Sequence, residues 1–418
     1  MKIMALTRYF PPEIGTASHL FYELCETLVQ YGHQVTAVTG MPWYNLDTID
    51  PKYLKRFYLK ERLNGIEVVR IADLPHLSHS WRVKLGHFSS PISLALGGLM
   101  ACKPDIIIFY SPPLLIGLAA HFLAAKWNIP FVMNLQDLYP LCLADYGYPK
   151  PLITFFEKME RLIYAKSKFI TVHSQGNKDY LLNYKNQPDE KVQVIHNWVD
   201  THLITPGPKA NAFSQAHNLN NDFIVSFAGT MGAGQGLSFV IDTAWLLREI
   251  KDLRFVLVGG GMEKEPLIEK AARKQLTNIT FLPMQPKEIY PDILGASDIC
   301  LSTLRKTLSA PAVPSKILSI MAAGRPVLAS MPLHGDAPKL IQEAQCGMCL
   351  EPENPEALAE AIMKLYHDQE LRARYGQNGR RYVEEHFSRE ACIRKYEALF
   401  QEAVKQKATR LEPGRCYA

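Results

Sequence analysis

Short continuous runs of aliphatic and β-branched residues alternate with longer segments of helical periodicity along the whole chain. Such runs are typical of parallel strands that are covered on both faces. The predicted strands of the first half are Lys2–Leu6, Gln34–Thr39, Glu67–Ala72, Asp105–Tyr110, Pro130–Gln136, Phe169–His173 and Val192–His196. Those of the second half are Ile224–Ala228, Arg254–Val258, Ile279–Leu282, Ile299–Thr303, Pro326–Ala329 and Gly347–Leu350. With helices between the strands, both halves are predicted to be doubly wound, Rossmann-like α/β units.

Local signals mark the first predicted helix and the boundary between the halves. Ser18 can serve as the N-cap of this helix, and Gly32 ends it. A polar stretch without periodicity runs from Asp200 to about Asp222 and is the best candidate for a linker. We therefore place an N-terminal domain at residues 1–203 and a C-terminal domain at residues 204–389.

Composition and charge narrow the function classes. The 418 residues carry a net charge of only +5, which gives no reason to expect nucleic acid as a partner. The N-terminus lacks a signal peptide, and the most apolar stretch, Ile92–Cys102, is shorter than the roughly 20 residues that span a bilayer, so we expect a cytoplasmic protein. Cys346 and Cys349 have metal-ligand spacing, but no second ligand pair accompanies them, and we expect no metal.

A glycine-rich loop follows the strand Ile224–Ala228. Its sequence is Gly229-Thr-Met-Gly-Ala-Gly-Gln-Gly236, and a long apolar-periodic helix comes next. Four glycines in eight residues allow the backbone to wrap a phosphate, and the helix presents its positive end. This pattern favours phosphate binding over the alternative, a flexible connection to the helix.

A second candidate anion site is Pro314-Ser-Lys-Ile-Leu-Ser-Ile-Met-Ala-Ala-Gly324. Ser315 can cap this predicted helix, and Gly324 stands where a glycine ends it. Lys316 then lies in the first turn, where the helix dipole disfavours cations, so we expect a bound anion there; the alternative is a solvated surface lysine. Arg305, with Lys306, follows the strand Ile299–Thr303 and is expected at the same sheet edge.

The N-terminal half offers weaker candidates. Gly15 and Thr16 precede a helix and can bring backbone N–H groups to an anion, although a plain βα turn fits equally well. Asp137 follows the strand Pro130–Gln136 and can accept a proton or hold a sugar hydroxyl, unless it is simply an N-cap. His173 ends another strand, where a core or capping role is the better interpretation.

Two segments suggest contact with a membrane surface. Basic and aromatic residues interleave between Lys52 and Arg62, and Trp81-Arg-Val-Lys84 precedes the apolar run Ile92–Met100. Such combinations suit an anionic lipid interface. The alternative is a solvated helix for the first segment and a buried helix for the second.

Six motifs in order make the chain resemble the retaining glycosyltransferases of family 4, which have the GT-B architecture of two Rossmann-like domains facing a cleft. The motifs are Pro11-Pro-Glu-Ile-Gly-Thr16, Gln136-Asp-Leu-Tyr-Pro140, Asn197-Trp-Val-Asp200, Gly229-x5-Gln-Gly-Leu237, Val258-Gly-Gly-Gly261 and Pro314-Ser-Lys…Met-Ala-Ala-Gly-Arg-Pro-Val327. The resemblance is nearest to transferases of the bacterial capsule, O-antigen and colanic-acid pathways.

The resemblance implies transfer, without a metal, from a nucleoside diphosphate sugar with retention at the anomeric carbon. The expected donor is a UDP-sugar, and the expected acceptor is a glycan or a lipid-linked oligosaccharide. It further implies that the last helix, about residues 390–405, returns to the N-terminal domain. Asp137 and Lys316 are the expected catalytic residues. The expected donor-binding residues are Gly15, Thr16, Gly229, Thr230, Gln235, Gly260, Phe281, Leu282, Arg305, Ser315 and Lys316.

The chain departs from the family at several positions. Family members commonly carry Arg and Lys where this sequence has Thr230 and Gln235, and their two glutamates fall on Pro311 and Ser319. The usual acceptor-side histidine is replaced by Gln136 or Asp137. The cationic role then shifts to Lys316, with Arg305. Two alternatives remain open: a nucleotide-sugar 2-epimerase of the same fold, and a non-catalytic, membrane-docked subunit of a polysaccharide assembly.

Overall fold

A computed structural model describes the chain except for residues 14, 44–45, 47, 73–78, 139–148, 308–312 and 412–418; for residues 16, 79–88 and 408–411 it describes the backbone only. The chain divides into two compact units. Unit 1 contains Met1–His196 and Cys392–Ala418, and unit 2 contains Asn197–Ala391. The sequence analysis placed the first boundary after residue 203 and the return near residue 390.

Unit 1 is built on a sheet that has eight strands within the described residues, in the order β3-β4-β2-β1-β5-β6-β7-β8. The strands are β1 (Lys2–Leu6), β2 (Gln34–Gly40), β3 (Tyr58–Leu63), β4 (Ile66–Ile71), β5 (Ile106–Ser111), β6 (Phe131–Leu135), β7 (Phe169–Val172) and β8 (Val192–Val194). The helices are α1 (Thr16–Gln30), α2 (His79–Leu99), α3 (Ile116–Trp127), α4 (Lys150–Lys166) and α5 (Gln175–Lys185). All pairings are parallel except β3 with β4, so the prediction of a doubly wound unit is confirmed.

Two local predictions for unit 1 are wrong. Helix α1 begins at Thr16 with Gly15 as its N-cap, so Ser18 lies inside the first turn, buried rather than capping. The segment Lys52–Arg62 is not the solvated helix given as one interpretation. It passes through a short 3₁₀ turn into the edge strand β3, where Lys60 pairs with Glu67 at 2.8 Å. The prediction that Gly32 ends α1 is confirmed by its left-handed φ of 86°.

Unit 2 contains a parallel sheet with six strands in its described part, in the order β11-β10-β9-β12-β13-β14. The strands are β9 (Phe223–Ala228), β10 (Leu253–Val258), β11 (Ile279–Leu282), β12 (Ile299–Thr303), β13 (Val327–Ser330) and β14 (Gly347–Leu350). The helices are α6 (Ala212–Ala216), α7 (Ser238–Leu246), α8 (Lys264–Arg273), α9 (Tyr290–Ala296), α10 (Ser315–Ala322), α11 (Asp336–Ala344), α12 (Pro355–His367) and α13 (Gln369–His386). The strand order reverses between β9 and β12, and ligands of doubly wound sheets bind at such a point.

The predicted linker is folded against unit 2. Arg380 donates hydrogen bonds to the carbonyl oxygens of Thr201 and Ile204, at 3.0 and 2.7 Å. Asn211 caps α6 through a reciprocal pair of bonds with Ser214. The absence of periodicity in this stretch therefore reflects capping and turn chemistry rather than a free connection.

The last helix, α14 (Arg389–Leu411), lies in unit 1 from Cys392 onward. Tyr396 and Phe400 are fully buried there, and the Tyr396 hydroxyl lies 3.3 Å from Oγ1 of Thr171 on β7. Glu397 pairs with His33 at 2.9 Å. No helix in the described part of the chain is long and apolar enough to cross a membrane.

Candidate functional site

Glycines at the ends of β9 and β10 allow two loops of unit 2 to touch. Gly229 has a φ of 140° and Gly259 a φ of 154°, a region that L side chains rarely adopt. A Cβ on Gly259 would lie 1.9 Å from the carbonyl oxygen of Gly229, and one on Gly261 would lie 2.5 Å from that of Met231. Glycine is required here because two stretches of backbone meet without room for a side chain, directly above the sheet.

Lys316 extends over the first of these glycines. A Cβ on Gly229 would lie 2.5 Å from Lys316 Cε and 3.1 Å from its Nζ. The ammonium donates to Oε1 of Gln235 at 3.4 Å and lies 4.9 Å from the centroid of the Phe227 ring. Burial lowers the pKa of Lys316, and no carboxylate within the described residues forms an ion pair with it. A half-buried cation without a carboxylate is a site for an anionic ligand.

The helix that carries Lys316 presents a free N-terminus to the same place. Helix α10 begins at Ser315 with Pro314 as its N-cap, and no side chain caps it in the described part of the chain. The prediction that Ser315 acts as the cap is therefore wrong: Pro314, with φ −56° and ψ 130°, already directs the chain into the helix. The prediction for Gly324 is confirmed, because it follows the last turn with a φ of 64°. An uncapped N-terminus offers N–H groups and the positive end of the helix dipole to an anion.

These elements border a cleft of about 430 Å³ within unit 2. None of the described residues that line it is acidic, and two are lysines. The lining residues are Ala228, Gly229, Thr230, Val258, Met284, Gln285, Lys287, Tyr290, Ile293, Ser315, Lys316 and Ser319. Of the predicted donor-binding residues, the structure thus brings together Gly229, Thr230, Ser315 and Lys316.

The remaining predicted residues of unit 2 lie around the cleft rather than on its surface. Arg305 pairs with Glu263 at 3.1 Å, and its backbone N–H donates to the Gly234 carbonyl at 2.9 Å, so it supports the glycine loop from outside. The Phe281 side chain packs against the hydrophobic core. Gln235 accepts a hydrogen bond from Lys316, and a Cβ on Gly260 would meet no other atom within 4 Å. Leu282 is buried, and its carbonyl oxygen accepts from Lys264 Nζ at 3.0 Å.

The family resemblance also implies that the backbone around Phe281–Met284 meets the nucleobase, and Met284 lines the cleft. Met284 forms one wall with four residues that were not predicted: Gln285, Lys287, Tyr290 and Ile293. These residues come from the loop after β11 and from α9, and no motif marks them. Burial raises the pKa of Tyr290 to about 12, although a hydrogen bond with Ser319 lowers it in part. The wall combines apolar side chains with an amide, an ammonium and a phenol hydroxyl, a composition suited to a ring with polar edges.

Asp137 in unit 1 follows β6 beside a polar network. The His173 ring lies 2.7 Å from the Gln136 carbonyl oxygen through Nε2, and His196 Nδ1 lies 2.9 Å from the His173 carbonyl oxygen. Asp137 is exposed, but desolvation by the surrounding protein raises the pKa of its carboxyl group, while the nearby His173 lowers it. The histidine judged structural from the sequence is therefore an electrostatic neighbour of the predicted catalytic carboxylate.

The loop before α1 is held by two buried side chains. Glu13 accepts hydrogen bonds from the N–H groups of Phe10 and Trp43, at 3.2 and 3.1 Å. Arg70 donates to the Pro11 carbonyl oxygen. Gly15 has a φ of 166°, which any residue adopts, and the Thr16 side chain lies outside the described residues. The anion role predicted for Gly15 and Thr16 thus rests on the uncapped start of α1 alone.

No metal-binding group of three or more His, Cys, Asp or Glu occurs among the described residues. Cys346 is buried and Cys349 half-buried, and burial raises the pKa of both thiols, to about 12 and about 11. The first of the two positions where family members carry glutamate, Pro311, lies outside the described residues; the second, Ser319, lines the cleft.

Two family profiles match the chain side by side. The profile described as Glycosyltransferase Family 4 matches residues 17–203. The profile described as Glycosyl transferases group 1 matches residues 209–382, within unit 2.

Similar proteins are named for colanic acid biosynthesis and for the O-antigen chain. A glycosyl transferase assigned to colanic acid biosynthesis in Escherichia coli (strain K12) is 25% identical over 408 residues, which cover 95% of this chain and 98% of that protein. The O-antigen chain mannosyltransferase C of Escherichia coli is 27% identical over 183 residues, or 44% of this chain and 47% of the relative. The crystal structure of Anabaena HepE in complex with UDP superposes with a TM-score of 0.73 at 17% identity, covering 96% of this chain and all 100% of that one.

Proposed function

The chain belongs to glycosyltransferase family 4 and has the GT-B fold, and on that basis we propose that it transfers a sugar from a UDP-sugar to a glycan or lipid-linked oligosaccharide acceptor, with retention at the anomeric carbon. The matched families and the similar proteins identify the chain as a glycosyltransferase enzyme of polysaccharide biosynthesis. The donor, the stereochemistry and the acceptor are the proposal.

The observation that carries the proposal is the position of Lys316, a half-buried cation without a carboxylate, over Gly229 and at the free N-terminus of α10. When the bond between the anomeric carbon and the diphosphate oxygen breaks, negative charge grows on the leaving phosphate. The Lys316 ammonium and the N–H groups of the glycine loop and of α10 stabilise that charge where it develops. Transfer then needs no metal cofactor, because this chain's own residues supply the positive charge.

The proposal has further components. The wall of Met284, Gln285 and Tyr290 takes the nucleobase. The likeness to Anabaena HepE, solved with UDP and with UDP-glucose, supports a uridine donor. Asp137 holds an acceptor or sugar hydroxyl, consistent with its raised pKa. An acceptor carried on a lipid places the protein at the cytoplasmic face of the membrane as a peripheral protein.

Thermal unfolding with a panel of uridine and guanosine diphosphate sugars tests the donor. A bound donor raises the midpoint by mass action, so we expect UDP-sugars to raise it and GDP-sugars not to. The positive compound is then incubated with the protein alone. Conversion of the sugar without an acceptor would indicate a 2-epimerase, and a panel without any stabilising compound would favour a non-catalytic subunit.

A further inference from the structure

The exposed face of helix α2 is apolar along its described length. From Ser89 to Met100 the exposed side chains are Ile92, Leu96, Leu99 and Met100, all large and apolar, and Ile92 is 68% exposed. Their spacing of four, three and one residues puts them on one side of the helix. The opposite side packs into unit 1, where a Cβ on Gly97 would meet Val38 and Ile71. The helix is thus anchored by small residues on one side and presents aliphatic residues on the other.

A neighbouring helix extends this face. Helix α3 touches α2 where a Cβ on Gly98 would lie 2.4 Å from Leu123 Cδ1. Phe122, the residue before Leu123, is 51% exposed. Large exposed apolar side chains on two helices that pack against each other are typical of an interaction surface, whereas single exposed ones are not.

Cations border the apolar face. Lys103 follows the end of α2, and Lys407 on α14 lies close enough that the Lys103 charge, together with burial, lowers its pKa. Lys126 is exposed on α3, one turn beyond Phe122. Within the described residues none of these three lysines forms an ion pair with a carboxylate. Their charge is therefore available to an anionic partner.

We propose that this face, made of Ile92, Leu96, Leu99, Met100 and Phe122 with Lys103, Lys126 and Lys407, docks unit 1 onto an anionic lipid bilayer surface. This inference rests on the membrane contact in the proposed function, and it names the surface that makes this contact. Aliphatic side chains enter the boundary of the acyl chains, and lysines at the edge meet the headgroups. A second copy fits less well, because a two-fold contact repeats the same patch and brings two lysine clusters to one interface.

Sedimentation of the full chain with vesicles tests the proposal. We expect binding to vesicles of phosphatidylglycerol and phosphatidylethanolamine, little binding to phosphatidylcholine alone, and weakening by salt. The double variant Ile92→Glu, Leu96→Glu is expected to lose at least about tenfold in partitioning. Lys103→Glu with Lys407→Glu should remove the preference for anionic lipid. Tyr184→Glu, at an exposed aromatic residue of α5 in the same unit, is the matched control and should bind as the unchanged protein does.

Two further measurements test the proposal in a way that does not depend on the folding of the glutamate variants. Ile92→Trp should show a blue-shifted fluorescence difference spectrum on anionic vesicles, which does not depend on a loss of binding. Stabilisation of the glutamate variants by UDP reports whether unit 2 is intact and tests the proposed donor site separately. Unchanged partitioning of the double glutamate variant would overturn the proposal. The proposal would also be overturned if equilibrium sedimentation found a dimer of the unchanged protein, and if the double glutamate variant dissociated this dimer but still bound vesicles.

Discussion

Among single residues, Lys316 decides which ligands the cleft of unit 2 can hold. Its ammonium is half-buried, touches Gln235 and Phe227, and is not balanced by an acid among the described lining residues. In water such a charge costs little, but in a partly desolvated site it either loses its proton or is stabilised by an anion. We therefore expect this one side chain to favour anionic ligands in the cleft.

Replacing Lys316 by Met keeps most of the aliphatic stem and removes the charge. We expect kcat/KM for transfer to fall about 10²–10³-fold, as when one preorganised donor to a developing charge is lost. The unfolding midpoint should stay the same or rise, since an unpaired charge is no longer desolvated. Lys339→Met, at an exposed lysine of α11 that does not line the cleft, is the control and should retain full activity. Turnover of Lys316→Met within a few-fold of the unchanged protein would contradict the assignment.

The lowered pKa of Lys316 gives opposite pH dependences for stability and for donor binding. Between that lowered pKa and the ordinary lysine value of about 10.4, Lys316 is protonated in the unfolded chain but not in the folded chain. The free energy of unfolding of the unchanged protein, compared with that of Lys316→Met, therefore rises with pH in this window. Donor binding needs the proton and should weaken across the same window.

Titration calorimetry of UDP between pH 7 and 10.5 measures this effect. Lys316→Arg should keep its affinity at high pH, because a guanidinium stays charged. If Lys316→Arg lost affinity at the same pH as the unchanged protein, another group would be responsible.

At the scale of elements, the glycine loop after β9 is shaped by contacts that an added methyl group would disrupt. Gly229→Ala combines a φ of 140° with a Cβ 2.5 Å from Lys316 Cε, so the lysine must move and the backbone is strained. We expect a loss of about 1–3 kcal/mol in the free energy of unfolding and a clear loss of UDP affinity. Gly232→Ala in the same loop, with φ −105° and no atom closer than 3.9 Å, should leave both unchanged. Equal effects of the two substitutions would show that the close approach does not matter.

The regular elements were predictable where burial imposes a simple pattern. Strands β1, β11, β12 and β14 begin and end where the sequence predicts. β12 is buried along its whole length and β1 along all but its first residue, as expected for strands inside a parallel sheet. Strand β3 was missed because an edge strand needs no continuous apolar run, and its charged residues pair across the strand instead.

The site was predictable only where backbone chemistry leaves a motif. The glycines at 229 and 259 and the start of α10 stand out, because turns and helix ends restrict residue type. The wall that includes Gln285 and Tyr290 was not predictable, since tertiary packing alone brings a loop and a helix beside α10. The three-residue error at the start of α1 has a different origin: Gly15 caps without a side chain, so Ser18 was the more visible candidate.

At the scale of the whole molecule, unit 1 is built from two separate parts of the chain, and the whole of unit 2 lies between them in the sequence. Helix α14 supplies Tyr396 and Phe400 to the interior of unit 1, in contact with β7 through Thr171, although almost 200 residues of unit 2 intervene. The stability of unit 1 therefore depends on the last helix, while the cleft of unit 2 is built without it.

Tyr396→Ala separates the two units experimentally. Loss of a fully buried aromatic side chain should lower the stability of unit 1 by about 3–5 kcal/mol, whereas Tyr396→Phe loses only the contact with Thr171, about 1 kcal/mol. Hydrogen exchange is the measurement: protection should fall in β6 and β7 and persist in β9 and β10. The proposed UDP site is built on the cleft of unit 2, so we expect UDP binding to survive in Tyr396→Ala. A uniform loss of protection in both units would mean that they unfold as one cooperative body and that the last helix stabilises more than the unit it enters.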